Sequence, residues 1–356
     1  MLYYDGTKIP QQDLLDYLQT IESQLGDLSR AKMRSRLFKL PLTFESKRQN
    51  DAIKRYTETQ RPYAAYLPDN MDFVARNNAF TRSEFENIYL SASFMVISVG
   101  FFTALPLALP VDPRQRMNCP KMNPSRVFTP AGQVSWGGSC LAIYTIDSPG
   151  GYQMTGLTIP GVDILGSKRG YTAQKPWLFE DFDQITFYRV SEEEYERQLA
   201  LWKSGRYEYE CEEVEFDMAE HNRLLGETKD EVKSIRARQR KAQAEMDALE
   251  KEMLERWARE KAERGVPVDT IDALLKDPEI YPIEAPLNAN VWKVEVKEGD
   301  RLEKDQVVVI LEAMKLEIAV RTESTAVGAV VEKILAQQGN SIEAGKPLML
   351  VRSVGA

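Results

Sequence analysis

Histidine is almost missing from this chain: one, His221, stands among 356 residues. It falls in "DMAEHNRLL", which reads as an exposed helical stretch, so acid–base chemistry carried by histidine drops out of the mechanisms to consider. Cysteine is scarce as well. Cys119, Cys140 and Cys211 are odd in number and far apart, which excludes a disulfide framework and a zinc pattern and suits a reducing compartment. No metal site is expected. No glycine-rich phosphate cradle is found, so the sequence offers no ATP site of that kind. The opening "MLYYDGTKIPQQDLLDYLQ" has no basic start followed by an apolar run. The most apolar stretch, "FMVISVGFFTALPLALPV" (94–111), is broken by Pro106 and Pro110 and closed by Asp112-Pro113-Arg114. It reads as buried core, such as a strand pair, and not as a membrane span. A net charge of −8 argues against a general nucleic-acid binder. The expectation is a soluble, cytoplasmic chain with neither a nucleic acid nor a membrane as partner.

What is present points to several domains. The length allows two or three cores, and an apolar fraction of 43% is that of a globular chain, not a disordered one. Leu14, Leu15, Leu18, Ile21 and Leu25 recur at helical spacing, predicting a short amphipathic helix. "RLFKLPLTFES" (36–46) reads as a strand, and "RQNDAIKRYTETQRPYAAYLP" as a helix closed by proline. From about residue 94 to 190, Gly and Pro punctuate short β-branched and aromatic runs such as "CLAIYTI" and "QITFYRV", the pattern of a β-rich barrel or sandwich. Helical pattern resumes at Ser191, an N-cap ahead of three glutamates. From Lys229 to Arg264 the chain is nearly all Ala, Glu, Lys, Arg, Gln and Met, which predicts a solvated single helix or weak coiled coil, roughly 50 Å long, ended by Gly265-Val266-Pro267 and serving as a stiff spacer. The divisions expected are 1–92, an α/β part; 93–228, the β-rich part; 229–280, a charged helical linker; and 281–356, a last compact piece.

That last piece repeats itself. "VWKVEVKEGDRLEKDQVVVIL" (291–311) aligns with "VEKILAQQGNSIEAGKPLMLV" (331–351), Gly299 matching Gly339 and Val308–Ile310 matching Leu348–Leu350. Two such halves imply a quasi-twofold β-sandwich. Between them lies "ILEAMKLEIA" (310–319), where a lysine interrupts a run that otherwise reads as buried strand. The spacing predicts a hairpin with Met314 and Lys315 at an exposed tip.

On Ala313-Met314-Lys315-Leu316 and the repeat, segment 281–352 resembles a biotinyl carrier domain. The resemblance implies covalent biotin on Lys315, attached by a biotin protein ligase that recognises Ala313, Met314 and Leu316, the last standing where Met is more usual. An exposed lysine on a fixed hairpin suits amide formation, and biotin then serves as a group carrier. A second resemblance covers roughly residues 1–230. "PAGQVSWGGSCLAIYTIDSPGGYQMTGLT" (130–158) is similar to the cyclophilin-like carboxyltransferase subdomain shared by urea carboxylases, allophanate-linked enzymes and the bacterial 5-oxoprolinase B subunit. "YLPDNMDFVARNNAF", "PVDPRQRMNCPKMNPSRVFTP" and "FDQITFYRVSEEE" point to the urea carboxylase (urea amidolyase) family in particular.

Together these imply an α+β multidomain chain: a β-rich cyclophilin-like carboxyltransferase domain with flanking helices, a long charged helix, and an all-β biotinyl sandwich. They also imply a reaction, transfer of the carboxyl group of carboxybiotin to urea to give allophanate. Urea is a weak, neutral nucleophile and the transferred group is anionic, so such a site needs acceptors for NH₂ groups, a base, and cations or backbone N–H groups. Asp112, Arg114, Arg116, Lys121 and Asn123, with Arg126, supply an unusual density of charge beside β-rich sequence. Gly137, Gly138, Gly150 and Gly151 offer close approach to backbone, and Tyr144, Tyr152 and Gln153 are further candidate substrate contacts. Asp147 either caps the 148–151 turn or acts in chemistry. Two departures from the family pattern stand out: Gln115 in "DPRQR", where histidine is common, and the bulky "FFTALPLALP" (101–110). The implied partners are a biotin carboxylase domain and the other carboxyltransferase half, in one parent polypeptide or as subunits, with urea as small molecule. Two alternatives remain open: a non-catalytic carrier and scaffold whose cyclophilin-like module binds a partner, or a transferase for another amide or guanidine-like acceptor.

Overall fold

The computed structural model describes residues 4–100, 102–263, 271, 274–313 and 316–353. Two compact units emerge, one from residues 1–50 and 69–246, the other from 51–68 and 247–356.

The first unit is organised by an eight-stranded sheet. Its strands are β1 (Lys32–Leu42), β2 (Phe94–Gly100), β3 (Leu105–Pro110), β5 (Gln133–Gly137), β6 (Cys140–Ile143), β8 (Gln153–Leu157), β9 (Gln184–Arg189) and β10 (Glu210–Asp217), in the order β10-β1-β9-β2-β3-β6-β5-β8. Two short strands, β4 (Arg126–Thr129) and β7 (Ser148–Gly150), pair separately. Because the sheet takes strands from both sides of residue 92, the N-terminal α/β part and the β-rich part share one core. The 94–111 run is the strand pair expected of it: Phe94 opposes Pro110 and Gly100 opposes Leu105. Every residue of β5 and of β8 is buried, and Tyr89, Phe94, Trp136 and Phe187 meet edge-on or tilted, with ring centres 5.7–6.5 Å apart. The Tyr89 hydroxyl reaches Thr155 Oγ1 at 2.7 Å, so the one polar atom of that ring is satisfied where it is buried.

Among the described residues the helices are α1 (Gln11–Gln24), α2 (Lys47–Thr59), α3 (Asn70–Asn77), α4 (Arg82–Ser91), α5 (Glu192–Lys203), α6 (Met218–Glu227) and α7 (Lys229–Glu263). The "TRSE" sequence closes a reciprocal capping box on α4, Thr81 N donating to Glu84 Oε2 (2.7 Å) and Glu84 N to Thr81 Oγ1 (3.2 Å). Ser191 caps α5 as its sequence predicts. The amphipathic helix α1 forms, yet it buries none of its residues, and Leu15, Ile21 and Leu25 stay exposed. Strand β10 is a departure, since residues after 190 read as helical. "ECEEVEFD" carries too many glutamates to look like a strand; the structure places it on the sheet edge, where Lys32–Glu215 (2.6 Å), Arg34–Glu213 (2.8 Å) and Lys39–Glu210 (3.2 Å) ladder across to β1. Charges on an edge also discourage pairing with another chain.

The long helix is corrected too. At 35 residues α7 has the expected length, about 52 Å, but it is not simply a solvated spacer. Within the first unit Gln239 is buried and donates to the Arg116 carbonyl at 2.9 Å. Within the second, fully buried Arg61 donates to Glu250 Oε1 (2.5 Å) and Tyr66 Oη (3.1 Å) and lies over the Trp257 ring (5.4 Å), while Glu250 Oε2 accepts from Ala65 N (2.9 Å). The break at Gly265-Val266-Pro267 lies outside the described residues.

The second unit contains the carrier sandwich. A three-stranded sheet has β17 (Pro347–Arg352) between β11 (Ile280–Glu284) and β15 (Val330–Ile334); a four-stranded sheet runs β14 (Leu316–Arg321), β13 (Val307–Ala313), β12 (Ala289–Val294), β16 (Ser341–Ile342). Val291, Val308, Leu311, Val331, Leu348 and Val351 lie in the core between them. The internal repeat survives in detail. β12 pairs with β13 and β15 with β17, each pair broken by a register shift at the matching place, Val291/Lys293 and Val331/Lys333. Gly299 and Gly339 both take left-handed φ values, +91° and +82°, which glycine adopts without penalty. Among the described residues, no helix is long and apolar enough to cross a membrane.

If α7 is anchored through Arg61, replacing that arginine should strand the Glu250 carboxylate. Arg61→Met is expected to cost about 3 kcal/mol, read as a lower denaturation midpoint for the second unit. An unchanged midpoint would mean that the helix is not held there.

Candidate functional site

The charged stretch folds into two groups. In the first, Asp112 caps a single 3₁₀ turn, Pro113–Gln115, accepting from Arg114 N at 2.9 Å. Arg114 turns back on the same carboxylate (Nη2–Oδ2 2.6 Å, Nε–Oδ1 3.0 Å) and also reaches Glu231 on α7 (3.3 Å). Partial burial pushes the Asp112 pKa up, but the hydrogen bonds and charge of Arg114 together outweigh it, so the carboxyl stays ionised. Arg116 is different. Its Nε donates to the Pro110 carbonyl (3.2 Å), and among the described residues its guanidinium forms no ion pair. Burial, and then repulsion from Arg236, lower its pKa. Gln115, at the departure from the family pattern, donates to Ser91 Oγ at 3.0 Å.

The second group brings 119–126 against 137–138 and 148–153. Cys119 and Gly138 exchange backbone hydrogen bonds (3.0 and 2.8 Å), Met122 N donates to the Gly151 carbonyl (2.6 Å), and Gln153 Nε2 donates to the Pro120 carbonyl (3.0 Å). Arg126, fully buried, donates to the Tyr152 carbonyl at 2.7 Å. Lys121 is exposed, its ammonium 5.3 Å from the centre of the Tyr152 ring. Asn123, two residues on, is exposed as well. The space left by two of the glycines is filled by the protein's own rings: a Cβ on Gly137 would meet Tyr152, and one on Gly150 would meet Tyr144. Close approach at those two positions is therefore made by aromatic side chains. Burial raises the pKa of both tyrosines, keeping them as neutral hydroxyls. Asp147 clips the "PAG" turn, accepting from Ala131 N at 2.7 Å.

His221 is half-buried rather than exposed, tilted against Phe216 with ring centres 5.4 Å apart; burial and then Arg116 lower its pKa. A cavity of about 490 Å³ went unread in the sequence because its walls come from separate stretches, among them Arg48, Ala131, Asp147, Leu165 and Trp202. On its wall, buried Asp163 accepts from Ser167 N (2.6 Å), Lys168 N (2.8 Å) and Lys168 Nζ (2.7 Å). Burial pushes its pKa up, but Lys168 and the backbone N–H groups prevail and bring it down to about 2.

In the carrier, β13 and β14 pair through Glu312↔Glu317 to Ala313↔Leu316. Met314 and Lys315 sit between those paired ends in sequence and lie outside the described residues. Leu316 is 67% exposed, so the flanking strand end is open to a modifying enzyme. A covalently attached cofactor fits an open strand end of this kind.

Residues 1–165 match the family described as "Carboxyltransferase domain, subdomain C and D", and residues 281–351 match "Biotin-requiring enzyme". The chain thus carries a carboxyltransferase domain in its first part and a biotin-attachment domain in its last. Its cofactor is covalent biotin. It is 86% identical over 352 residues to an Emericella nidulans protein bearing the name "Putative urea carboxylase", covering 99% of this chain and 28% of that one. It is 38% identical to the urea amidolyase of Lachancea kluyveri, over 99% of this chain and 19% of the relative. The crystal structure of the Kluyveromyces lactis urea carboxylase superposes with a TM-score of 0.70 at 32% identity, covering 98% of this chain and 30% of that one. The chain thus spans less than a third of the length of these relatives.

The Asp163 clasp makes a pH-dependent prediction. A depressed carboxyl pKa adds stability that is complete above the unfolded value, about 4, and is lost as pH falls toward about 2. Asp163→Asn should cost about 2 kcal/mol at pH 6, and the gap to the parent protein in chemical denaturation should shrink between pH 4 and pH 2.

Proposed function

We propose that this chain is the carboxyltransferase and carrier portion of a urea carboxylase, passing a carboxyl group brought on Lys315 to urea to give allophanate. The observation that carries this reading is the continuous match of both parts, in one order, to urea carboxylase and urea amidolyase relatives over 99% of the chain. When bound, biotin supplies a ureido nitrogen that holds and releases the carboxyl group. The residues of this chain do the rest. Arg116, charged and without an ion pair among the described residues, faces the negative charge of the transferred group. Asp112, kept ionised by Arg114, accepts from a urea NH₂ and orients it. Lys121, with Asn123, adds a second cationic contact at the Tyr152 side, where the Gly138, Gly151 and Gln153 backbone lies close. Ala313, Met314 and Leu316 present Lys315 to a biotin protein ligase. The setting is cytoplasmic, with the other carboxyltransferase half and the biotin carboxylase as working partners.

Two observations favour a second reading, a non-catalytic carrier and scaffold. Gly137 and Gly150 are sealed by Tyr152 and Tyr144, and Arg114 is spent on Asp112 and Glu231. The two readings part in a discharge assay. The biotinylated chain is loaded with labelled carboxyl by an added biotin carboxylase, together with the other carboxyltransferase half, and loss of label is followed with and without urea. Urea should speed discharge and yield labelled allophanate; Arg116→Ala should slow it by about 10²-fold, and Lys315→Arg should take up no label. Discharge indifferent to urea would overturn the urea reading and leave the carrier and scaffold, or a different acceptor.

A further inference from the structure

The second unit contains residues 51–68 along with the carrier, although by sequence those residues fall within the carboxyltransferase match. The carrier therefore rests on a piece of the transferase segment. Arg55, on α2, donates to Glu317 Oε1 at 3.2 Å, and its guanidinium lies over the Trp292 indole, 4.8 Å from the ring centre. Glu317 is the second residue of β14, two positions after Lys315; Trp292 is on β12 in the same sheet. The other half of the repeat joins in at Gly339, where a Cβ would stand 3.3 Å from the Gln60 carbonyl oxygen just past the end of α2. The lack of a side chain at Gly339 lets that turn lie close to the backbone.

We infer that Arg55 is the latch of the carrier, a positioning residue whose grip on Glu317 and Trp292 sets the fraction of time the carrier spends on segment 51–68. A group carrier has to dock and leave again. Arg55 and Glu317 keep 43% and 54% of their side-chain surface in solvent, so their ion pair is weak and screened by salt, and an exposed cation–π contact adds a comparable amount. The sum is worth about tenfold in the ratio of docked to free carrier. That suits reversible docking, not permanent attachment. A lysine at 55 would keep the charge and lose the planar face that stacks on indole and meets a carboxylate side-on.

The test uses the full chain and needs neither urea nor a loaded cofactor, so its failure is separate from failure of the urea reading. Relaxation of ¹⁵N-labelled carrier amides reports whether the carrier tumbles with the larger body or on its own. Arg55→Glu should cut the docked-to-free ratio about tenfold, Arg55→Lys should fall between, and raising salt should mimic part of the effect in the parent protein. Adding Glu317→Arg to Arg55→Glu should restore slow tumbling. Unchanged tumbling in both Arg55 variants overturns the latch, and so does faster tumbling that Glu317→Arg fails to reverse. Should Arg55→Glu fold poorly, the Arg55→Lys and salt measurements decide the matter by themselves.

Discussion

Two glycines under two rings hold the candidate transferase surface together. A Cβ on Gly137 would stand 2.3 Å from the nearest carbon of the Tyr152 ring, and one on Gly150 would stand 2.1 Å from the Tyr144 hydroxyl oxygen, closer than real carbon atoms come. With the rings seated, Tyr152 covers Gly137 of β5, and the 119–126 segment is stitched to 148–153 by the Met122 N to Gly151 carbonyl bond and by buried Arg126 on the Tyr152 carbonyl. Across that seam Lys121 meets the Tyr152 ring and Gln153 reaches the Pro120 carbonyl. The charged residues reach the surface as a consequence of apolar packing beneath them.

The charges divide according to what holds them. Arg114 is bound on two sides by carboxylates, and that arrangement keeps Asp112 ionised. Arg116, two residues on, has burial and a neighbouring guanidinium working against it. A cation held in that way gains more from an incoming anion than one already paired, because its ionised form has less local support to lose. The contrast between two arginines of one "DPRQR" string comes first from burial of Arg116 and from Asp112 beside Arg114, and α7 sharpens it by supplying Arg236 to the one and Glu231 to the other.

Parts of this were legible in the chain. The strand pair at 94–111, the Ser191 cap and the forty-residue repeat could all be read, because each is written in local periodicity, a local cap or a recurring string. The repeat was readable down to its paired glycines; the matched register shifts at Val291/Lys293 and Val331/Lys333 appeared only in the structure. Strand β10 was hidden, since its glutamates find partners on β1, 171 to 183 residues away in sequence. The anchoring of α7 was hidden for the same reason: Arg61 and Glu250 are far apart in sequence and close in space.

By itself, then, the sequence determined the α+β class, the carrier with its Ala313-Met314-Lys315-Leu316 string, and the carboxyltransferase motifs. Those depend on side-chain period, turn chemistry and short contiguous patterns, which neighbouring residues impose on one another. Tertiary structure alone decided which charges are paired, which glycines admit rings, where the 490 Å³ cavity opens, and that the carrier rests on residues from the transferase segment. These are contacts between distant stretches, and their energies depend on burial and distance that exist only once the chain has folded.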